Sequence, residues 1–239
     1  MNTAPKKILK RFDIFSSVLS PTVGRLWDIY SLILLKPLIN DFVPWTGVAL
    51  RPYTALTIIN DIYINDRNFI VELGSGISTL LFAQVIRDRG KGKLLSIEDN
   101  PKWARFINDE LKVRGLDSYC TVLYAPLERC ETSLSSEVLW YQEEAVFEEL
   151  LNNKIDLLLV DGPKASTVRN RLSRFPAVPV FKSYFAESFS IYLDDIRRSG
   201  EKEIVEKWMH LMIDCKVFKS PVKGNFSCLW KGNYFYSRP

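Results

Sequence analysis

Carboxylate side chains follow two apolar segments in the second half of the chain. Asp161 lies near the end of IDLLLVDG, residues 155–162, and Asp194 and Asp195 end SFSIYLDD, residues 188–195. Both segments are predicted to be buried strands, and neighbouring parallel strands end at the same edge of a sheet. We therefore expect the three carboxylates to lie together, where a cation or hydrogen bonds must offset their repulsion. Oxygen ligands suit Mg²⁺ or another hard divalent cation, which would bind a substrate hydroxyl and lower its pKa.

A second group of candidate residues occupies the segment VELGSGIST, residues 71–79. Gly74 and Gly76 permit a tight turn and a close approach to a ligand, and the helix that follows offers unpaired N–H groups. Thr79 stands where a dinucleotide-binding fingerprint has its third glycine, and Glu72 places an anion at the loop. Because an anion opposes a pyrophosphate and suits an ammonium group, the loop favours S-adenosylmethionine over a nicotinamide dinucleotide.

An acid after the second predicted strand supports a nucleoside ligand. LLSIE, residues 94–98, ends at Glu98, about one helix and one turn after the glycine loop. A carboxylate at this point can accept hydrogen bonds from both hydroxyls of a ribose. Since NAD also contains ribose, Glu98 alone does not separate the two ligands. Together, the glycine loop, Glu72 and Glu98 favour a ligand-binding loop over one with a purely structural role.

Strands and helices alternate from residue 53 onward. The predicted strands are 69–73, 94–98, 120–125, 155–162, 188–195, 216–220 and 226–230. The predicted helices are 53–65, 77–89, 101–115, 137–152 and 201–213, and a helical stretch at 165–182 is predicted to be broken near Pro176 and Pro179. This alternation indicates an α/β fold in which a largely parallel sheet has helices on both faces and an antiparallel strand at its edge. Residues 25–43 are expected to be helical with a break at Pro37. We therefore divide the chain into an N-terminal helical extension or lid, 1–52, and one domain, 53–239.

Composition restricts the class of function. The net charge of +4 is spread along the 239 residues, so no nucleic-acid partner is expected. Four cysteines without a CxxC pair predict reduced thiols in a cytoplasmic protein without a signal peptide, and the single histidine, His210, excludes a histidine-rich zinc site. The basic cluster at residues 6–11 is predicted to be a solvated tail. The apolar run at 32–35 is too short to span a membrane, and residues 26–43 are predicted to cover the core or active site, with peripheral membrane contact as the alternative.

Three segments resemble the motifs of a known enzyme family. VELGSGIST, LLSIEDNPKW and IDLLLVDGP are similar to the first, second and fourth motifs of class I S-adenosylmethionine-dependent methyltransferases. The resemblance implies a Rossmann-like seven-stranded sheet in the order 3-2-1-4-5-7-6 with strand 7 antiparallel. It also implies that Glu72 and the two loop glycines hold the methionine part of the cofactor, that Glu98 holds the ribose and that Asp99 flanks the adenine.

The third predicted strand departs from the family pattern. It ends at Ala125, where many members place an acid for the adenine amine, so backbone groups near Ala125 would serve instead. The cofactor-binding candidates are therefore Glu72, Gly74, Ser75, Gly76, Ser78, Thr79, Glu98, Asp99 and Ala125.

The acidic cluster resembles that of metal-dependent O-methyltransferases of the catechol type. In that family an acid ends strand four, as Asp161 does here, and a lysine follows three residues later, as Lys164 does. Asp194 matches the acid that ends strand five, and Asp195 stands where an amide is usual. The resemblance implies that Lys164 is the general base and that Asp161, Asp194 and Asp195 bind the metal. Metal-free methyltransferases also carry an acid where Asp161 stands, so contact of Asp161 with donor or substrate is an alternative. The other two acids could instead cap a helix or pair with Arg197 and Arg198.

Three further segments resemble a bacterial subgroup of small methyltransferases. They are PWTGVALRP, VDGP and YLDDIRRSGEKEIVEKW. Trp45, Arg51, Tyr53 and Tyr141 are candidates for the acceptor pocket, since aromatic walls suit sugar or aryl rings, although core packing explains the aromatic residues equally well. The leading hypothesis is transfer of a methyl group from S-adenosylmethionine to a hydroxyl of a small molecule or glycan. The alternatives are an NAD(P)-dependent oxidoreductase and a non-catalytic binding module of the same fold. A homodimer is compatible with each of them.

Overall fold

A seven-stranded sheet forms the centre of the computed structural model, which describes residues 22–39, 41–135, 138–150 and 153–239. The strands are β1 Phe69–Leu73, β2 Lys93–Glu98, β3 Cys120–Tyr124, β4 Leu127–Arg129, β5 Leu139–Tyr141, β6 Ile155–Val160, β7 Phe185–Leu193, β8 Lys216–Ser220 and β9 Phe226–Lys231. The helices are α1 at residues 22–35, α2 Pro52–Ile64, α3 Ile77–Arg89, α4 Pro101–Val113, α5 Glu143–Leu150, α6 Ala177–Phe181 and α7 Ser199–Leu211.

The strand order confirms the predicted topology. The main sheet runs β3-β2-β1-β6-β7-β9-β8, and β9 is antiparallel to both of its neighbours. Renumbered within this sheet, the order is 3-2-1-4-5-7-6. The dinucleotide-binding Rossmann sheet has the order 3-2-1-4-5-6 instead. The antiparallel strand inserted between β7 and β8 therefore separates this architecture from that of the nicotinamide-dependent dehydrogenases.

The central strands carry apolar side chains on both faces because helices cover both faces of the sheet. On β6, Leu157 and Leu159 pack in a core with α2, α3 and α4. Leu158 and Val160 point the other way, into a second core with α5, α6 and α7. All four side chains are fully buried. This two-sided burial accounts for the uninterrupted apolar run of β6 and fixes the strand end at which Asp161 follows.

The N-terminal extension packs on the first of these cores. Leu35 of α1 is buried there, and a 3-10 turn at Lys36–Leu38 follows, with Pro37 at its start, close to the predicted break. The Asp28 carboxylate accepts hydrogen bonds from the Arg51 guanidinium, at 2.7 and 3.0 Å, which holds α1 against the start of α2. The basic cluster predicted at residues 6–11 lies outside the described residues, and the domain boundary at residue 52 stays a prediction. Among the described helices, none combines the length and apolar composition that a membrane crossing requires.

Two helix predictions were wrong. In place of one helix at 137–152, β5 pairs antiparallel with β4, and α5 begins only at Glu143. The segment LWY has strong β propensity, and Trp140 and Tyr141 are buried, so the strand is stabilised by contacts distant in sequence. Residues 165–182 form turns and the short helix α6, which begins directly after Pro176.

Candidate active site

A cavity of about 720 Å³ opens at the carboxyl ends of β1, β2, β6 and β7. In open α/β sheets, ligands bind at this edge, near the point where the strand order reverses. The predicted site residues that line the cavity are Gly74, Ser75, Glu98, Asp99, Asp161, Lys164, Asp194 and Asp195. The cavity therefore joins the predicted donor site and the acidic cluster in one space.

The glycine loop bends at Gly74, whose φ of +91° lies in the left-handed region that favours glycine. A Cβ atom on Gly74 would lie 2.9 Å from the amide nitrogen of Gly162, so the loops after β1 and β6 touch through backbone alone. The Gly162 amide donates to the Leu73 carbonyl at 2.6 Å, which fixes this contact. Gly76 was expected to serve the same turn, but its backbone is extended and the space around it is open.

Glu72 lies beneath the loop and is not among the residues that line the cavity. Its Oε2 atom accepts hydrogen bonds from Thr79 Oγ1 at 2.5 Å and from Ser96 Oγ at 2.7 Å, and the Gly76 amide donates to Thr79 Oγ1 at 2.9 Å. Burial raises the pKa of the Glu72 carboxyl to about 7, although these hydrogen bonds oppose the shift. The carboxylate thus shapes the loop through Thr79, and its contact with a methionine ammonium stays a prediction.

Four further cofactor candidates also lie outside the cavity lining: Gly76, Ser78, Thr79 and Ala125. Ser78 and Thr79, in the first turn of α3, are buried. Ala125 is fully buried, and its amide donates to the Glu98 carbonyl at 2.9 Å. Because this N–H group is already engaged, it is not available to an adenine. Adenine contact by other backbone groups nearby stays a prediction.

Glu98 faces the cavity from the end of β2. Its Oε2 atom accepts hydrogen bonds from the amide and the hydroxyl of Ser75, each at 3.0 Å, and its Oε1 atom accepts from the Asn100 amide at 2.9 Å. Burial raises the pKa of the Glu98 carboxyl, with these hydrogen bonds opposing it, and burial likewise raises the pKa of the adjacent Asp99. The two hydrogen bonds from Ser75 use both lone pairs of Oε2, whereas Oε1 keeps one, so Glu98 can still accept a hydrogen bond from a ribose hydroxyl.

Sequence reasoning missed Trp103, which stands on α4 at the wall of the cavity. Its indole N–H donates to the Ser75 carbonyl at 2.8 Å, and its ring stacks on Phe106. Asn100 caps α4 by accepting from the amides of Lys102 and Trp103. The signal available in the sequence was the position of the tryptophan, five residues after the β2 acid, in the first turn of a helix that begins with proline.

The three aspartates of the acidic cluster lie together, with one carboxylate oxygen from each within 4.8 Å of the others. Asp161 follows β6, and Asp194 and Asp195 follow β7. Burial raises the pKa of the Asp161 carboxyl, which Arg174 opposes, and raises that of the Asp194 carboxyl well above its usual range. The predicted pairing of the strand-five acids with arginine holds for Asp195, whose Oδ2 atom lies 2.8 Å from Arg198 Nη1.

Sequence reasoning also missed Arg174, whose side chain is 4% exposed and lies among these carboxylates. Its Nη2 atom is 3.2 Å from Asp161 Oδ1, and its Nη1 atom is 3.4 Å from Asp195 Oδ2 and 3.8 Å from Glu201 Oε1. A divalent cation bound by the same oxygens would meet a buried positive charge at close range. The arrangement therefore does not fit the predicted metal. An excess of acids at one edge of the sheet was the signal that a buried cation was required.

The remaining candidates lie at the margin of the cavity or outside it. Lys164 is exposed and lines the cavity, and Arg51 lines it while paired with Asp28. Of the two alternatives for Tyr53 and Tyr141, core packing holds, because both side chains are buried in the core and neither lines the cavity. Trp45 is also outside the lining, and its indole N–H donates to the Leu50 carbonyl at 3.1 Å.

Comparisons with known proteins agree with this architecture. Residues 71–181, from β1 to the end of α6, match the family model described as a methyltransferase domain. A search of curated proteins found no relative that matches the chain.

Solved structures share the fold at low sequence identity. A Staphylococcus aureus protein, provisionally assigned as a caffeoyl-CoA O-methyltransferase, is 14% identical with a TM-score of 0.59, over 87% of this chain and all of that chain. The methyltransferase PaMTH1 from Podospora anserina, solved with S-adenosylhomocysteine, is 14% identical with a TM-score of 0.57, over 97% of this chain and 99% of that chain. The O-methyltransferase TomG from Streptomyces achromogenes, solved with S-adenosylmethionine, is 10% identical with a TM-score of 0.57, over 87% of this chain and 99% of that chain. The match over residues 71–181 and the sheet order together show that this chain has the fold of class I S-adenosylmethionine-dependent methyltransferases.

Proposed function

We propose that this protein transfers a methyl group from S-adenosylmethionine to a hydroxyl group of a small molecule or glycan. The observation that carries the proposal is that Glu98, the bend at Gly74 and Asp161 line the same cavity. The donor assignment is supported by TomG and PaMTH1, which were solved with S-adenosylmethionine and its demethylated product. The oxygen acceptor is supported by the O-methyltransferases among the structural neighbours.

Glu98 is the residue that we assign to the ribose of the donor. The carboxylate is held by Ser75 and Asn100, so its orientation is set before a ligand arrives. Binding to such a preorganised acceptor loses little conformational entropy. The ring of Trp103 and the carboxylate of Asp99 line the same part of the cavity and would flank the adenosine.

We assign the acceptor to the other end of the cavity, where Asp161 and Lys164 lie. Methyl transfer requires the acceptor oxygen to stand in line with the sulfonium and to lose its proton. Lys164 would take that proton, and Asp161 would position the acceptor hydroxyl. Once a screen has provided an acceptor, Lys164→Met should lower kcat by roughly 10²–10⁴-fold, and Lys202→Met on the exposed side of α7 should not.

Isothermal titration calorimetry with S-adenosylmethionine and S-adenosylhomocysteine tests the donor assignment. Wild-type protein should bind both, and Glu98→Gln should bind each roughly 10–100-fold more weakly, because it loses a charge-assisted hydrogen bond to the ribose and the negative charge that holds Ser75 and Asn100. The matched control is Glu148→Gln, which changes an exposed glutamate of α5. Absence of binding at millimolar ligand, or equal weakening in both variants, would overturn the proposal.

The proposal extends to location and assembly. A cytoplasmic protein is supported by the four cysteines, all of which are free. Helix α1 exposes the apolar side chains of Leu26, Ile29 and Ile33, which would suit either peripheral contact with a membrane or contact with a second copy of the chain. Sedimentation in the presence and absence of lipid vesicles would distinguish these two.

A further inference from the structure

We propose that the guanidinium of Arg174 is the permanent cation of the acidic cluster, and that Asp161, Asp194 and Asp195 hold no divalent metal ion. This inference rests on the proposed function only in its consequence for the reaction, which would then proceed without a metal. Its structural part, the occupancy of the cluster by Arg174, stands on the geometry alone.

The guanidinium lies beside two of the three carboxylates, those of Asp161 and Asp195. Its nitrogens are 3.2 Å from Asp161 Oδ1 and 3.4 Å from Asp195 Oδ2. A divalent ion binds carboxylate oxygens at about 2.0–2.6 Å, so an ion on these same oxygens would lie within a few ångströms of the guanidinium. With the Arg174 side chain almost fully buried, little solvent would screen the repulsion between the two cations.

Arg174 is also anchored in this position by backbone carbonyl groups. Its Nη2 atom donates to the Asp161 carbonyl, its Nε atom to the Pro163 carbonyl at 3.3 Å, and its Nη1 atom to the Asp194 carbonyl at 3.4 Å. Displacing the side chain to admit a metal would leave these buried carbonyls without their donor, which is unfavourable. The arginine therefore ties the ends of β6 and β7 together and positions the carboxylates at the rim of the cavity.

The ion pair with Arg174 also explains why a second aspartate, Asp195, follows β7. Asp195 stands where the catechol-type pattern has an amide, and its Oδ2 atom lies near both Arg174 and Arg198. Asn225 adds a hydrogen bond to its other oxygen, from Nδ2 to Oδ1 at 3.3 Å. The extra negative charge of Asp195 is thus offset by two guanidinium groups, which also lie near Asp161 and Glu201.

Binding of Mn²⁺, measured by electron paramagnetic resonance of the free ion, tests the proposal without reference to methyl transfer. Wild-type protein should leave Mn²⁺ free up to roughly millimolar concentrations, the weak range of oxygen-ligand sites. Arg174→Met should uncover the carboxylates and bind at least ten-fold more tightly, whereas Arg174→Lys should behave as the wild type. The control is Arg171→Met, which removes a surface arginine paired with Glu203 and should change nothing.

Stoichiometric binding of Mn²⁺ to the wild type that is lost in Asp161→Asn would overturn the proposal. This comparison remains decisive if Arg174→Met does not fold. The binding measurement is also independent of the donor. A protein that binds neither Mn²⁺ nor S-adenosylmethionine would therefore contradict the proposed function and leave the assignment of Arg174 standing.

Discussion

Gly74 and Gly162 are in backbone contact, so that a side-chain carbon on Gly74 would stand 2.9 Å from the Gly162 amide nitrogen. The contact joins the loop after β1 to the loop after β6. Ser75, next to Gly74, holds Glu98, and Asp161 directly precedes Gly162, so the contact connects the segments that carry these two cavity residues. The backbone of Gly74 is therefore part of the geometry that a methyl transfer would require.

Gly74→Ala tests this contact. Alanine would have to adopt a φ of +91° and would also press on Gly162, so both strain and steric overlap destabilise the fold. We expect the free energy of unfolding to fall by about 2–4 kcal/mol in chemical denaturation. Gly90→Ala is the control, because Gly90 has a φ of +69° but open space around it, and should cost only about 1 kcal/mol. Equal losses in the two variants would show that the close approach contributes nothing.

Glu72 should make stability depend on pH. Its pKa is raised from 4.5 to about 7 in the folded state, so the folded protein binds the proton more tightly than the unfolded chain. Stability contributed by the protonated carboxyl is present at pH 4 and is lost as the pH rises toward and past 7. The total loss is about 3 kcal/mol.

The measurement is the difference in unfolding free energy between wild type and Glu72→Gln across pH 4–8. As the pH rises, the unfolding free energy of the wild type should fall relative to that of the variant by up to about 3 kcal/mol. Glu148→Gln, at an exposed position, should show no such trend. A difference that stays flat with pH would mean that the buried carboxyl does not titrate in this range.

Trp103 should contribute to donor binding more than to stability. Its indole N–H holds the Ser75 carbonyl, and Ser75 in turn holds Glu98. Trp103→Phe removes the indole N–H and keeps an aromatic ring. The Kd for S-adenosylmethionine should therefore rise by roughly 3–30-fold, equivalent to one or two hydrogen bonds. Calorimetry provides the Kd. The control, Phe106→Leu, alters the stacked neighbour outside the cavity lining and should leave the Kd within about two-fold of wild type.

Much of the fold follows from patterns that are local in the sequence. The bounds of β1 and α3 agree with their predictions because an apolar run, a glycine loop and a final glycine define them without distant contacts. The strand β5 could not be predicted in this way, since its three residues become a strand only by pairing with β4. Its apolar side chains fit a helical pattern equally well when read alone.

The candidate site shows the same division. Glu98 and Asp161 were found because each follows a recognisable strand. Arg174 was not, because it lies in a segment of turns, 13 residues from Asp161 and 21 from Asp195, and only the folded chain brings the three together. The sequence predicted that the acids needed a neutralising charge, and the structure supplies that charge from an arginine.

Arg174→Met should destabilise the protein in a pH-dependent manner, because it leaves Asp161, Asp194 and Asp195 without their buried cation. Removing one partner of a buried ion pair costs about 3–5 kcal/mol, which we expect at pH 8 in chemical denaturation. Without the guanidinium the carboxyl pKa values rise further, so protonation relieves the repulsion and the deficit should shrink as the pH falls toward 5. Arg171→Met serves again as the control, since the side chains of the Arg171–Glu203 pair are 39% and 35% exposed and the pair should contribute less than about 1 kcal/mol. If the loss of unfolding free energy in Arg174→Met did not depend on pH, Arg174 would act through packing and its carbonyl contacts alone. If Mn²⁺ restored the lost stability, the three carboxylates would accept a metal in place of the arginine.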